Sequence, residues 1–168
     1  MILVGFSTSL FGSVDTAKEA DLKAAYIYNF ARYTKWEGLG ENRNQFVICV
    51  HKESDLFKSL KKLEKKKMKG KKIKVIAVGE SKNCLRPCHV VILPELQQKR
   101  LQALVKKAVA SNVLSISDTE GYAQKGVTIN LKKVSNKMTF EVNLDQVRKS
   151  RLKLSSNLLK MATIVQDN

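Results

Sequence analysis

The chain has 168 residues, 43% of them hydrophobic, with only 2 prolines and 8 glycines, which excludes a disordered or collagen-like chain and points to one globular domain. A chain of this length buries roughly 70% of its unfolded surface, so a core forms without help from cross-links. The 31 Lys and Arg against 15 Asp and Glu give a formal net charge of +16, a field that draws nucleic acid, anionic lipid or acidic protein without choosing among them.

Residues 1–17, MILVGFSTSLFGSVDTA, are apolar with small residues interspersed. They resemble the hydrophobic region of a secretory signal, and are too short for a comfortable membrane span. The reading is therefore a signal-like leader over 1–17 and a single domain over 18–168. Ala20–Glu37 is predicted to be an amphipathic helix whose inner face carries Leu22, Ala25, Tyr26, Phe30, Tyr33 and Trp36. Gln45–Val50 is a near-continuous apolar run, the mark of a central strand. Ser54 is expected to cap a helix through Leu56, Phe57, Leu60 and Leu63. Ile73–Val78 and His89–Leu93 are two further apolar strands, and Pro94 is placed to open a helix that ends near Ser111-Asn112. Val113–Ser117 is a strand, a polar loop with Gly121 and Gly126 follows, and Val127–Lys132 and Met138–Val142 form a hairpin. Asn143 starts one helix and Ser155-Ser156 another, with Leu158, Leu159, Met161 and Ala162 facing inward. Alternating strands and helices give an α/β fold: one sandwich with a mixed, mostly parallel sheet of about five to six strands, flanked by helices and ending in an antiparallel hairpin.

Common catalytic motifs are missing. There is no HExxH, GxSxG, phosphate-cradling GxxxxGK[ST] or GxGxxG, and His51 and His89 are the two histidines. Cys84, Cys88 and His89 lack the second pair of ligands that a structural zinc needs, so no metal and no cofactor is expected. Ser117, Asp118, Glu120, Gly121, Tyr122 and Asn130 mark out a candidate ligand or partner loop, because ligand sites of α/β sheets collect after strand ends. Ser117 and Asp118 also serve simply to bond the turn's own backbone. From Lys58 to Lys74 ten lysines face one acid, Glu64. Lys61, Lys62, Lys65, Lys66, Lys67 and Lys69 are a candidate basic docking patch for a polyanion or small ligand. The run itself has no arginine or aromatic, the types that bidentate phosphate contacts and base stacking use. Three cysteines allow a Cys49–Cys88 bridge, a Cys84–Cys88 bridge or three reduced thiols.

Several blocks of the chain resemble the YfiR-like family. They are Lys23–Ala31 with Trp36, Phe46–Val50, Cys88–Ile92, Ser115–Ala123 with Gly126–Asn130, Phe140–Leu144, Leu152–Ser156 and Leu158–Val165. Together they cover 20–165 in order. The resemblance implies a periplasmic, non-enzymatic α/β protein, often a homodimer. Its function there would be to repress an inner-membrane diguanylate cyclase by binding the cyclase's periplasmic region, lowering cyclic di-GMP and biofilm formation. It also implies a Cys49–Cys88 disulfide with Cys84 unpaired. Val127 stands where the family often has a second glycine, the family type has more cysteines, and the lysine run is more basic than the family pattern. That run suits an acidic receptor surface or the anionic face of a membrane; nucleic acid is not an expected partner.

Overall fold

The computed structural model describes residues 11–37 and 44–167. Residues 1–10 of the expected leader lie outside them, and 11–17 continue the first helix. In chain order the elements are α1 (Phe11–Arg32), β1 (Thr34–Trp36), β2 (Gln45–His51), α2 (Phe57–Lys61) with a 3-10 turn at Lys62–Lys65, β3 (Lys67–Met68), β4 (Lys71–Val78) and β5 (Val90–Leu93). The second half adds α3 (Gln98–Ala110), β6 (Leu114–Ser117), β7 (Ile129–Val134), β8 (Lys137–Asn143), α4 (Leu144–Lys149), β9 (Leu152–Leu154), α5 (Ser156–Met161) and β10 (Thr163–Val165).

The central sheet has eight strands in the order β10-β8-β7-β6-β5-β2-β4-β3, and β1 pairs with β9 in a separate two-stranded sheet. Its middle five strands, β4-β2-β5-β6-β7, are mutually parallel. β2 and β5 are nearly all apolar, as parallel strands covered by helices are. β5 and β6 are buried along their whole length, while β4 alternates buried apolar residues with exposed lysines. One apolar layer packs Ile27, Phe30, Leu60 and Ile48 on the α1 and α2 side. The other packs Cys49, Leu93, Leu101 and Leu104 on the α3 side. Numbered along the chain, the five parallel strands run 2-1-3-4-5. The winding therefore reverses between β2 and β5, the topological switch point of doubly wound sheets. Cys49 and Cys88, at β2 and at the entry to β5, are joined there by a disulfide with Cα atoms 5.7 Å apart, and Cys84 is free.

Several sequence expectations need correction. The sheet has eight strands rather than five to six, because β3 and β10 are two and three residues long and too short to show a period. The first helix stops at Arg32. Thr34 Oγ1 donates to the Phe30 carbonyl at 2.7 Å and Trp36 leaves the helix to pair with Leu152. Its buried face is Ala24, Ile27, Phe30 and Ala31. Of the expected inner face Phe30 is buried and Tyr26 and Trp36 pack partly against the core, while Leu22 is 47% and Tyr33 39% exposed. α3 starts at Gln98, not Pro94. Tyr122 Oη donates to the Leu96 carbonyl and accepts from the Leu96 N–H, which holds the intervening segment out of the helix. The helix after Ser54 is only five residues long, because Glu64 accepts from the Val75 N–H at 2.8 Å and ties the following 3-10 turn to β4. Met161 is 64% exposed rather than packed inward, while Leu158 is buried.

The β7–β8 hairpin turns through Ser135 and Asn136, both at positive φ (45° and 62°), the geometry of a tight turn matched to strand twist. In α5, Leu158→Ala is expected to cost about 2–5 kcal/mol in denaturant unfolding, and Met161→Ala within about 0.5 kcal/mol. Alkylation of the denatured, unreduced protein should label one thiol, Cys84, and three after reduction. Breaking the bridge, which spans 39 residues, should lower stability by roughly 3–4 kcal/mol on the chain-entropy argument. Three thiols labelled before reduction would contradict the bridge.

Candidate functional site

The switch point leaves a crevice outside the carboxyl ends of the strands, as such folds require. After β2 the chain turns towards α2, and after β5 it turns towards α3 on the other face. Residues 53–55, 94–95 and 118–120, which follow β2, β5 and β6, line a hollow of about 710 Å³ between them. Glu53, Asp55, Glu95, Asp118 and Glu120 give five carboxylates in eight lining residues. In a chain with a net charge of +16, this is a local inversion of the field.

Two of the five acids are neutralised by basic groups on the flanking helices. Lys23 on α1 reaches Asp118 at 2.7 Å and Glu19 at 2.9 Å. Burial works against the Lys23 ammonium, but Asp118 and Glu19 outweigh it and its pKa stands above the usual lysine value. Glu19 is held down to about 2, chiefly by Lys133 and then Lys23. Arg100 on α3 bridges Glu53, at 2.7 Å, and Glu80, and its guanidinium holds both carboxyls below the ordinary glutamate range. Asp55, Glu95 and Glu120 have no basic partner among the ion pairs of the described residues, and Asp55, Glu95 and Glu120 are exposed. No three His, Cys, Asp or Glu side chains among the described residues are grouped as a metal ion would need.

The candidate loop divides into a rim and a set of inner pins. Asp118 and Glu120 reach the crevice. Ser117 is 1% exposed and its Oγ accepts from the Thr119 N–H at 3.2 Å. Tyr122 is 3% exposed and bonded to Leu96. Asn130 is fully buried and its Nδ2 donates to the Thr119 carbonyl at 2.8 Å. Asn143, the N-cap of α4, donates to the Ala123 carbonyl at 2.7 Å. Gly121 sits at φ +75°. Gly126, at φ +99°, passes so close to α3 that a Cβ there would meet Val105 Cγ1 at 3.0 Å. The loop is thus held from three elements and presents a fixed edge. Glu53, Asp55 and Glu95 have no motif in the sequence; only the strand order brings them beside Asp118 and Glu120.

The basic patch lies at the opposite, amino-terminal edge of the parallel strands and is not continuous. Lys61 is paired with Glu64 at 2.9 Å and Lys62 with Asp21 at 2.7 Å. Lys65 and Lys67 are exposed. Lys66 Nζ lies 4.9 Å from the Tyr28 ring centre and Lys69 Nζ 4.8 Å from that of Trp36. The aromatics missing from the run are therefore supplied by α1 and β1.

No helix among the described residues is long and apolar enough to cross a membrane. No curated protein sequence matches the chain. Among solved structures, a conserved domain protein from Vibrio cholerae O1 biovar El Tor superposes with a TM-score of 0.58 at 10% identity, over 88% of this chain and 60% of that one. The likeness is one of fold, and the chain spans about 60% of that protein's length. A sequence profile described as YfiR/HmsC-like matches residues 20–163, which takes in α1 from Ala20, the β3 edge of the sheet and the pinned loop, and stops at the first residue of β10; the chain belongs to the YfiR/HmsC-like family, a family of regulatory proteins.

Proposed function

We propose that the protein is a periplasmic regulatory binding protein, not an enzyme, that represses an inner-membrane diguanylate cyclase by binding its periplasmic sensor region. Repression would lower cyclic di-GMP and biofilm formation. The observation that carries this reading is the family match across 20–163. The fixed loop beside the crevice adds a means, because a preorganised edge binds without first losing conformational entropy. The Cys49–Cys88 bridge fits an oxidising compartment, and residues 1–17 would be the export leader. We also place a homodimer in this reading.

The mechanism is differential binding. A repressor shifts its receptor only by the difference between its affinities for the inactive and active states. Asp55, Glu95 and Glu120, the crevice acids without a basic partner, are the residues assigned to the receptor contact. They suit a basic segment of the cyclase's sensor region, and the attraction should weaken with salt.

The test is co-purification of the mature chain with the periplasmic domain of a membrane diguanylate cyclase of the same organism, in oxidised and reduced forms. Binding is expected in at least the oxidised form, and its absence in both removes the reading. A Glu95→Lys/Glu120→Lys pair should weaken binding by roughly 10-fold or more, mainly through slower association, with the melting temperature unchanged. An undiminished affinity would move the contact away from the crevice.

A further inference from the structure

At the amino-terminal edge the cations gather round two hollows that share Lys35 and Lys69. The larger, of about 700 Å³, is lined by Arg32, Tyr33, Lys35, Lys69, Lys153 and Leu154, with the Ser155 and Ser156 hydroxyls beside them. The smaller, of about 310 Å³, lies between the same two lysines, Lys71 and the rings of Trp36, Phe46 and His89. Phe46 and His89 are stacked with centroids 4.5 Å apart, and Trp36 stands edge-on to Phe46 at 5.4 Å. The smaller hollow is therefore floored by a packed aromatic cluster.

The charges round the two hollows are not balanced. Lys153 pairs with Glu37. Among the described residues, no carboxylate pairs with Arg32, Lys35 or Lys69. Arg32 lies over the Tyr33 ring at 5.8 Å, and Lys69 lies over Trp36 and donates to the Thr34 carbonyl. Burial, and then the neighbouring Lys35 ammonium, push the Lys69 pKa below the usual lysine value. Two like charges are thus held together by the β1 and β3–β4 backbone, at positions where an anion would relieve both. Lys69 is itself fixed in place by backbone, since it stands at φ +51° ahead of Gly70 at φ +79° in the turn between β3 and β4.

We propose that the hollow between Arg32, Lys35, Lys69 and Lys153 binds a phosphate group, carried by a soluble phosphoester or by a phospholipid head group. A carboxylate presents two oxygens in one plane. A phosphate carries its oxygens in a tetrahedral array, with three free and up to two charges in a monoester and two free and one charge in a diester, which suits cations placed round it on α1, β1, the β3–β4 turn and β9. The guanidinium of Arg32 supplies a fork of donors and the ammonium groups supply point charges. Ser155 and Ser156 line the same hollow, the Ser155 Oγ already accepting from the Leu158 N–H as the cap of α5. The site is distinct from the acidic crevice and stands or falls independently of receptor binding.

Trp36 is the single tryptophan of the chain and lies against Lys69, so its emission reports occupancy. Titration of the full chain with inorganic phosphate should shift Trp36 emission saturably. Sodium chloride at matched ionic strength should give no saturable change. Lys35→Met and Lys69→Met should each weaken binding by roughly 10-fold, the loss of one charge-assisted contact. Lys61→Met, in the same lysine run but tied to Glu64, should bind like the parent. Thermal melts of all three variants separate loss of the site from loss of the fold. Co-sedimentation with phosphatidylglycerol vesicles, competed by inorganic phosphate and lost in Lys35→Met and Lys69→Met, assigns the lipid source. Phosphate binding without vesicle binding assigns a soluble phosphoester. A response that is linear in phosphate, reproduced by chloride, or equal in folded Lys35→Met, Lys69→Met and Lys61→Met overturns the proposal.

Discussion

The Cys49–Cys88 disulfide fastens together the two strands between which the winding of the sheet reverses. β2 sends the chain to one face and β5 sends it to the other. This divergence opens the crevice, and the strands on either side must stay in register for its walls to meet. Their register is set by Cys49 opposite Val91 and Val50 opposite Ile92. A slip of one residue would turn every side chain of β2 to the wrong layer. The bridge sits near the amino-terminal end of β5, so it secures the strand pair beside the basic aromatic cluster, while the main-chain ladder transmits that order to the acidic end.

The loop over residues 118–128 depends on the same frame. Asn130 and Asn143 arise from β7 and β8, yet each spends its amide on a loop carbonyl, and Tyr122 spends its hydroxyl on Leu96. Polar side chains buried among apolar strands are costly unless bonded, so these residues fix one loop path rather than many. Their effect is to make the rim of the crevice as rigid as the sheet.

Much of this fold was legible in the sequence, and the parts that were not have physical reasons. β2 and β5 stood out because strands buried on both faces are apolar nearly throughout, and β4 and β6 because apolar residues recur along them at the period of a strand. The β7–β8 hairpin and the Asn143 and Ser155 caps were legible because each rests on local chemistry. β1, β3, β9 and β10 were not, since two or three residues carry no period. The packing face of α1 was misread in part because Leu22, Tyr26 and Tyr33 recur at helical spacing with the buried Phe30, on a stripe rotated from Ala24, Ile27 and Ala31. Half of the crevice was visible as Asp118 and Glu120. The other half depends on strand order, which no local pattern encodes. The lysine run looked poor in aromatics because its rings come from α1 and β1, earlier in the chain than the run itself.

The acidic crevice and the cluster of cations lie at opposite ends of the same parallel strands. The protein is therefore an electric dipole as well as a net cation, with its positive pole at the turn between β3 and β4. A charged surface exerts a torque on such a body as well as a force. Against any anionic surface the positive pole would turn inward and the carboxylate rim outward, so the sign of the surface alone would select which end of the strands is presented.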